Sequence, residues 1–184
     1  MSTWKDWNRT TRFFKSTFLA LEREAALCRS LPFEDPSSIE FCCSIGNGRY
    51  RVSLDKHVDA VSDTAMLCAL VLVFAYATTE EAARARLIPP LGSNEPIEQW
   101  ALRLLQSNGA AWSARFGCGS LVEVAVARNA VAHDLTIDQH MINRIQQYGG
   151  VSPWAVGDRV VLTLSAVEEY RARLRSLLRY SGIK

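Results

Sequence analysis

Apolar residues at Trp4, Trp7, Phe14, Phe18, Leu21 and Leu27 recur at spacings near three, four and seven, which predicts an amphipathic helix from about Thr3 to Leu31. Pro32 and the EDPSS stretch end it. The period then changes to two. Phe41, Cys43 and Ile45, followed by Tyr50, Val52 and Leu54, alternate with polar or small residues around Gly46-Asn47-Gly48, the pattern of a short β-hairpin. Beyond it every strong periodic segment is helical. Ser62 or Asp63 can cap a helix through Ala65 to Ala77, and Thr78-x-x-Glu81 has the form of a capping box where a second or continuing helix runs to about Leu87. Pro89, Pro90, Gly92 and Ser93 predict a loop, with Asn94 as N-cap and Pro96 in the first turn of a helix that buries Ile97, Trp100, Leu104 and Leu105 and stops at Asn108-Gly109. Ser120-x-x-Glu123, Thr136-x-x-Gln139 and Ser165-x-x-Glu168 each predict a further helix start. The first of these helices runs to about Asp134. The second presents Ile137, Met141, Ile142 and Ile145 and closes at Gly149-Gly150, and the third buries Val167, Tyr170, Leu174, Leu177 and Leu178. Gly157 to Thr163 reads as a short strand. The predicted class is mainly α, a helical bundle with one short hairpin in the N-terminal third.

Composition narrows the function classes. A chain of 184 residues, 48% apolar, suits one domain with its own core and excludes a disordered tail protein. The longest nearly unbroken apolar stretch, Ala65 to Ala77, is short of the roughly 20 residues a membrane-spanning helix needs, so a buried core helix and no membrane partner are expected. The N-terminus scatters Arg and Lys among aromatics without a continuous apolar segment, which predicts a cytoplasmic protein. Five cysteines, Cys28, Cys42, Cys43, Cys68 and Cys118, form no CxxC pair and no zinc-like spacing with the three histidines. Free buried thiols, no disulfide, no metal and no cofactor are the expectation.

Charge is segregated beneath the formal net value of +2: residues 1–30 carry +3, residues 144–184 carry +4, and the middle carries −5. Such ends can mark a surface for a polyanion, although solvated basic helix faces produce the same pattern. Arg171, Arg175 and Arg179 recur every fourth residue near the C-terminus, a stripe able to track RNA phosphates or simply to face solvent. The tryptophans Trp4, Trp7, Trp100, Trp112 and Trp154 read as core or dimer contacts.

No phosphate-cradling glycine loop, GxSxG elbow, HExxH helix or EF-hand loop is present, which makes most familiar enzyme classes poor fits. The polar group that stands out is Arg128-Asn129-x-x-x-His133-Asp134, set within the apolar helix LVEVAVARNAVAHDL. Asn129 and His133 are four residues apart and share a helix face, and the long Arg128 side chain can swing toward it. An imidazole can take a proton from a ribose 2′-hydroxyl or give one to the leaving oxygen, a guanidinium can clamp the scissile phosphate, and an amide can orient either. His57 and His140 lie in no such constellation. With 17 arginines and three histidines, Arg followed five residues later by His arises by chance about 0.3 times, and with Asn after the Arg about 0.01 times.

The RNAVAH motif, on a helix late in a helical bundle, resembles the R-x(4–6)-H pattern of the HEPN superfamily. So does the sequence that follows, HDLTIDQHMI and GDRVVLTLSAVEEYRARL: a turn, a helix, an extended segment and a long terminal helix. The likeness covers about residues 60–184 as a HEPN-like core of one domain spanning 1–184, with 1–58 a helix-plus-hairpin elaboration. The resemblance implies a homodimeric, metal-independent endoribonuclease cleaving single-stranded RNA at a composite site, with Arg128, Asn129 and His133 as its residues. It also implies a toxin or antiviral defence role, with an antitoxin or defence protein as partner. Family toxins controlled by tyrosine modification resemble R-x4-H-x-Y; Leu135 stands at that tyrosine position here, so the resemblance does not imply that control. A non-catalytic HEPN-like module that binds RNA, a nucleotide or a protein with the same polar cleft is the alternative, and a purely structural scaffold is a third.

Overall fold

The computed structural model describes residues 3–46, 48–92, 95–111 and 117–183. Helix α1 (Thr3–Arg29) leads through a 3-10 turn (Pro36–Ser38) into the hairpin β1 (Glu40–Ile45) and β2 (Gly48–Ser53). Six helices follow: α2 (Leu54–Ser62), α3 (Thr64–Arg86), α4 (Ile97–Gln106), α5 (Cys118–His133), α6 (Gln139–Gln147) and α7 (Leu164–Tyr180). The protein is mainly helical with a two-stranded antiparallel hairpin, as the periodicities predict.

Helix α5 lies at the centre. Its run Leu121, Val122, Val124, Ala125, Val126, Ala127 is buried on nearly every side because α3, α4, α6 and α7 all pack on it. Helix α7 seats Val167, Tyr170, Leu174, Leu177 and Leu178 against α3 and α5, and α1 closes the other side of α3. Trp4 and Ile183 join the two ends of the chain: the indole Nε1–H donates to the Ile183 carbonyl at 2.9 Å. Close approach of α5 to the end of α6 is set by Gly119. Its N–H donates to the Tyr148 carbonyl at 3.0 Å, and a Cβ there would sit 2.2 Å from the Gly150 nitrogen.

Several local expectations are corrected. The pairing Ile45↔Gly48 places Gly48 in β2 and leaves Gly46 (φ +57°) in the turn; Asn47 lies outside the described residues. Helix α2 has no counterpart in the periodicity, because only Leu54 and His57 of its nine residues are buried. Asp63 rather than Ser62 caps α3, accepting from Ala65 N–H at 3.1 Å. Helix α3 then runs unbroken through Thr78, whose hydroxyl is spent on the Phe74 carbonyl instead of starting a new helix. Pro96 is the N-cap of α4, not part of its first turn, and Asn94 and Trp112 lie outside the described residues.

Three further capping boxes lose to nearer competitors. Helix α5 starts after Gly117, and Ser120 donates back to the Gly117 carbonyl while Glu123 turns to α7. Asp138 caps α6 in place of Thr136, and Thr163 caps α7 in place of Ser165. Gly157 to Thr163 makes a single bridge, Thr136↔Arg159, and no strand, since Asp138 turns its partner segment into α6. Leu27 is 59% exposed because it lies about 200° round α1 from Trp7. All five cysteines are free thiols, and Cys42 is exposed rather than buried, its β1 side chain pointing to the outer face of the hairpin. The segment Leu54–Arg86, α2 and α3 together, contains one stretch long and apolar enough to cross a membrane; in this fold one side of α3 packs on α1, α5 and α7, while Met66, Leu70 and Phe74 are exposed.

Candidate functional site

Helix α5 carries Arg128, Asn129 and His133 on its C-terminal half, and they lie at different depths. Arg128 and Asn129 are half-buried; His133 is the last helical residue and is exposed. The helix ends there because Asp134 adopts a left-handed conformation (φ 49°) as C-cap. The Arg128 guanidinium lies over the Tyr76 ring, 5.3 Å from its centroid, and Nη1 donates to Asn129 Oδ1 at 2.7 Å. Asn129 therefore orients the guanidinium, not the imidazole. Arg128 Nε is buried and has no hydrogen-bond partner among the described residues.

The floor under Arg128 is a polar seam between α3, α4 and α6. Tyr76 packs edge-on against Trp100, and burial together with the Glu80 carboxylate pushes its hydroxyl up to about 12 despite the nearby Arg128 and Arg144 cations. Glu98 of α4 accepts a forked pair from Arg144 of α6, Nε at 3.1 Å and Nη2 at 2.7 Å, with Glu98 itself buried. The fork raises the Arg144 pKa and fixes its charge. Tyr76, Glu98 and Arg144 carry no local sequence pattern, because they lie on three separate helices.

A cation does reach the exposed end of the motif. Arg159, from the extended segment after α6, stands 3.5 Å from the Asp134 carboxylate, placed by the Thr136↔Arg159 bridge. It belongs to the basic C-terminal segment.

The stripe of Arg171, Arg175 and Arg179 lies elsewhere. Arg171 is buried, its guanidinium over the rings of Trp7 and Phe14 and bonded to the Thr11 hydroxyl of α1, and burial lowers its pKa. It packs α7 against α1. Arg175 and Arg179 are exposed over Trp4, each 6.0 Å from its centroid. Tyr170 and Arg173 of α7 hydrogen-bond to Glu123 of α5 at 2.9 and 2.8 Å. Glu123 is ten residues before His133, about 15 Å along the helix, so the structure joins the stripe to α1 and not to the motif. His140 is exposed beside Glu98 and Arg144, while His57 is buried among α1, α2 and the hairpin. Compared with known proteins, the chain matches no family model, no curated protein and no solved structure.

Proposed function

We propose that the protein is a homodimeric, metal-independent endoribonuclease of the HEPN type that cuts single-stranded RNA. The observation that carries the reading is the C-terminal half of α5, which presents a solvent-facing imidazole, His133, five residues after Arg128, whose guanidinium is held by Asn129 and Tyr76. One imidazole supplies only one proton-transfer group, so the reaction requires the His133 of a second chain. One imidazole removes the 2′-hydroxyl proton as that oxygen attacks the adjacent phosphorus. The second protonates the departing 5′-oxygen as its bond to phosphorus breaks, leaving a 2′,3′-cyclic phosphate and a 5′-hydroxyl. Arg128 stabilises the charge gathered on the phosphoryl oxygens, and Asn129 limits the guanidinium's motion while it does so. Arg159 offers the RNA backbone a cation at the rim, and Arg175 and Arg179 extend the basic surface along α7 for a longer strand. A toxin or antiviral effector role, with an antitoxin or defence partner, follows from the same reading.

Incubation with single-stranded RNA in buffer without added divalent metal tests it. Wild-type protein is expected to release cyclic-phosphate ends, His133→Ala and Arg128→Ala to release them at least about 10²-fold more slowly, and light scattering to give twice the 20.5 kDa chain mass. Equal cleavage by all three proteins overturns it.

A second reading, a non-catalytic binding module with the same cleft, is favoured by the commitment of Arg128 Nη1 to Asn129, which leaves fewer donors for a phosphate. Filter binding of RNA without product formation, lost in Arg128→Ala, would select it.

A further inference from the structure

Cys28, Glu24 and His57 meet where the end of α1 faces α2 and the hairpin. Glu24 and Cys28 are one turn apart on α1 and share a face, and Cys28 Sγ lies 3.5 Å from Glu24 Oε1. His57 enters from α2, its Nε2 3.2 Å from the same Glu24 oxygen. All three donor atoms lie within 4.8 Å of one another, with Cys28 and His57 buried and Glu24 half-buried. The imidazole is held in place: it stacks on Phe41 of β1 at 4.2 Å with an interplanar angle of 11°, and its Nδ1 faces the Tyr50 hydroxyl of β2 at 3.5 Å.

We propose that Cys28, Glu24 and His57 form a zinc-binding site. One thiolate, one imidazole nitrogen and one carboxylate oxygen are the donor types zinc takes, and its bond lengths of about 2.0–2.3 Å make each edge of a tetrahedron about 3.3–3.6 Å. The two contacts made by the Glu24 oxygen already have nearly that length. The Cys28–His57 edge, at most 4.8 Å, has to close by no more than about 1.2–1.5 Å, a side-chain rotation. The fourth position falls to water on the side where the Glu24 side chain is 37% exposed. Tyr50 and Phe41 act as the outer shell that fixes the ring, a common arrangement for metal-bound histidine. Zinc there would fasten the hairpin and α2 to α1, a structural task separate from α5. Cysteine and histidine spacing alone does not reveal this donor set, since one ligand is a carboxylate and the histidine comes from a helix the periodicity omits.

Full-length protein stripped of metal and titrated with Co²⁺ reads the site. One equivalent should give the intense visible bands of a tetrahedral centre and a thiolate-to-cobalt charge-transfer band, both displaced by Zn²⁺. Cys28→Ser should lose the charge-transfer band, and Glu24→Gln, with unchanged circular dichroism, should bind zinc more than about tenfold more weakly. No binding by the wild type, the band retained in Cys28→Ser, or unchanged zinc affinity in Glu24→Gln overturns the proposal. Should a variant not fold, X-ray absorption of the zinc-loaded wild type decides: one sulfur with nitrogen and oxygen neighbours supports the site, and none or two sulfurs overturns it.

Discussion

With its Nη1 held by Asn129 and its plane over Tyr76, Arg128 contributes to stability as well as to the proposed chemistry, whereas His133 stands in solvent and contributes only to the latter. The two alanine variants should therefore separate. His133→Ala should lower cleavage by about 10²–10⁴-fold, the usual weight of a general acid–base group, with an unchanged melting temperature. Arg128→Ala should lose cleavage and also about 1–2 kcal/mol of stability, from the cation–π contact and the packing of its stem. Calorimetry beside a cleavage assay measures both. The motif residues are legible in the sequence because they sit within six consecutive positions of one helix. The use of Asn129 to hold arginine is not legible, since by sequence the amide could equally reach the imidazole.

Helix pairing in this fold leans on buried charge. Glu98 and Arg144 tie α4 to α6, and Glu123 ties α5 to α7 through both Tyr170 and Arg173. Truncating Glu98 to Ala strands the Arg144 guanidinium, and a cost of about 3–5 kcal/mol is expected, a drop in melting temperature on the order of 10 °C. Gly119→Ala should be as damaging for a steric reason: its methyl would overlap the Gly150 backbone, so α5 and α6 would have to part, which thermal unfolding would show. The apolar stripes of α4 and α7 are plain in the sequence, because burial on one side of a helix repeats every three to four residues. Their starting residues are not. Ser120, Thr136 and Ser165 head good capping boxes, yet Gly117, Asp138 and Thr163 hold the caps, because a neighbouring oxygen or a tertiary partner for the glutamate settles which candidate is free.

Across the whole molecule, burial of Tyr170 beside Glu123 and of Tyr76 beside Glu80 raises both phenolic pKa values. An unfolded chain releases those protons near pH 10 while the folded chain keeps them, so it binds fewer protons there and stability must fall as pH rises above about 10. Denaturant unfolding at pH 8 and pH 11 should show this loss, reduced in Tyr170→Phe. The segregated charge also resolves at this scale. Arg171, from the basic C-terminal segment, is folded inward against Trp7 and Phe14, Arg175 and Arg179 lie over Trp4, and Arg159 approaches the end of the motif through Asp134. By itself the sequence determined the helical class, the hairpin, the core stripes and the place of Arg128, Asn129 and His133 on one helix, all of which rest on periodicity or on neighbours within a few residues. Only the tertiary structure decided which arginines are buried, where Asn129 points and that Cys28 and Glu24 meet His57. Those outcomes join residues tens of positions apart, and their contacts exist only once whole faces of helices have packed.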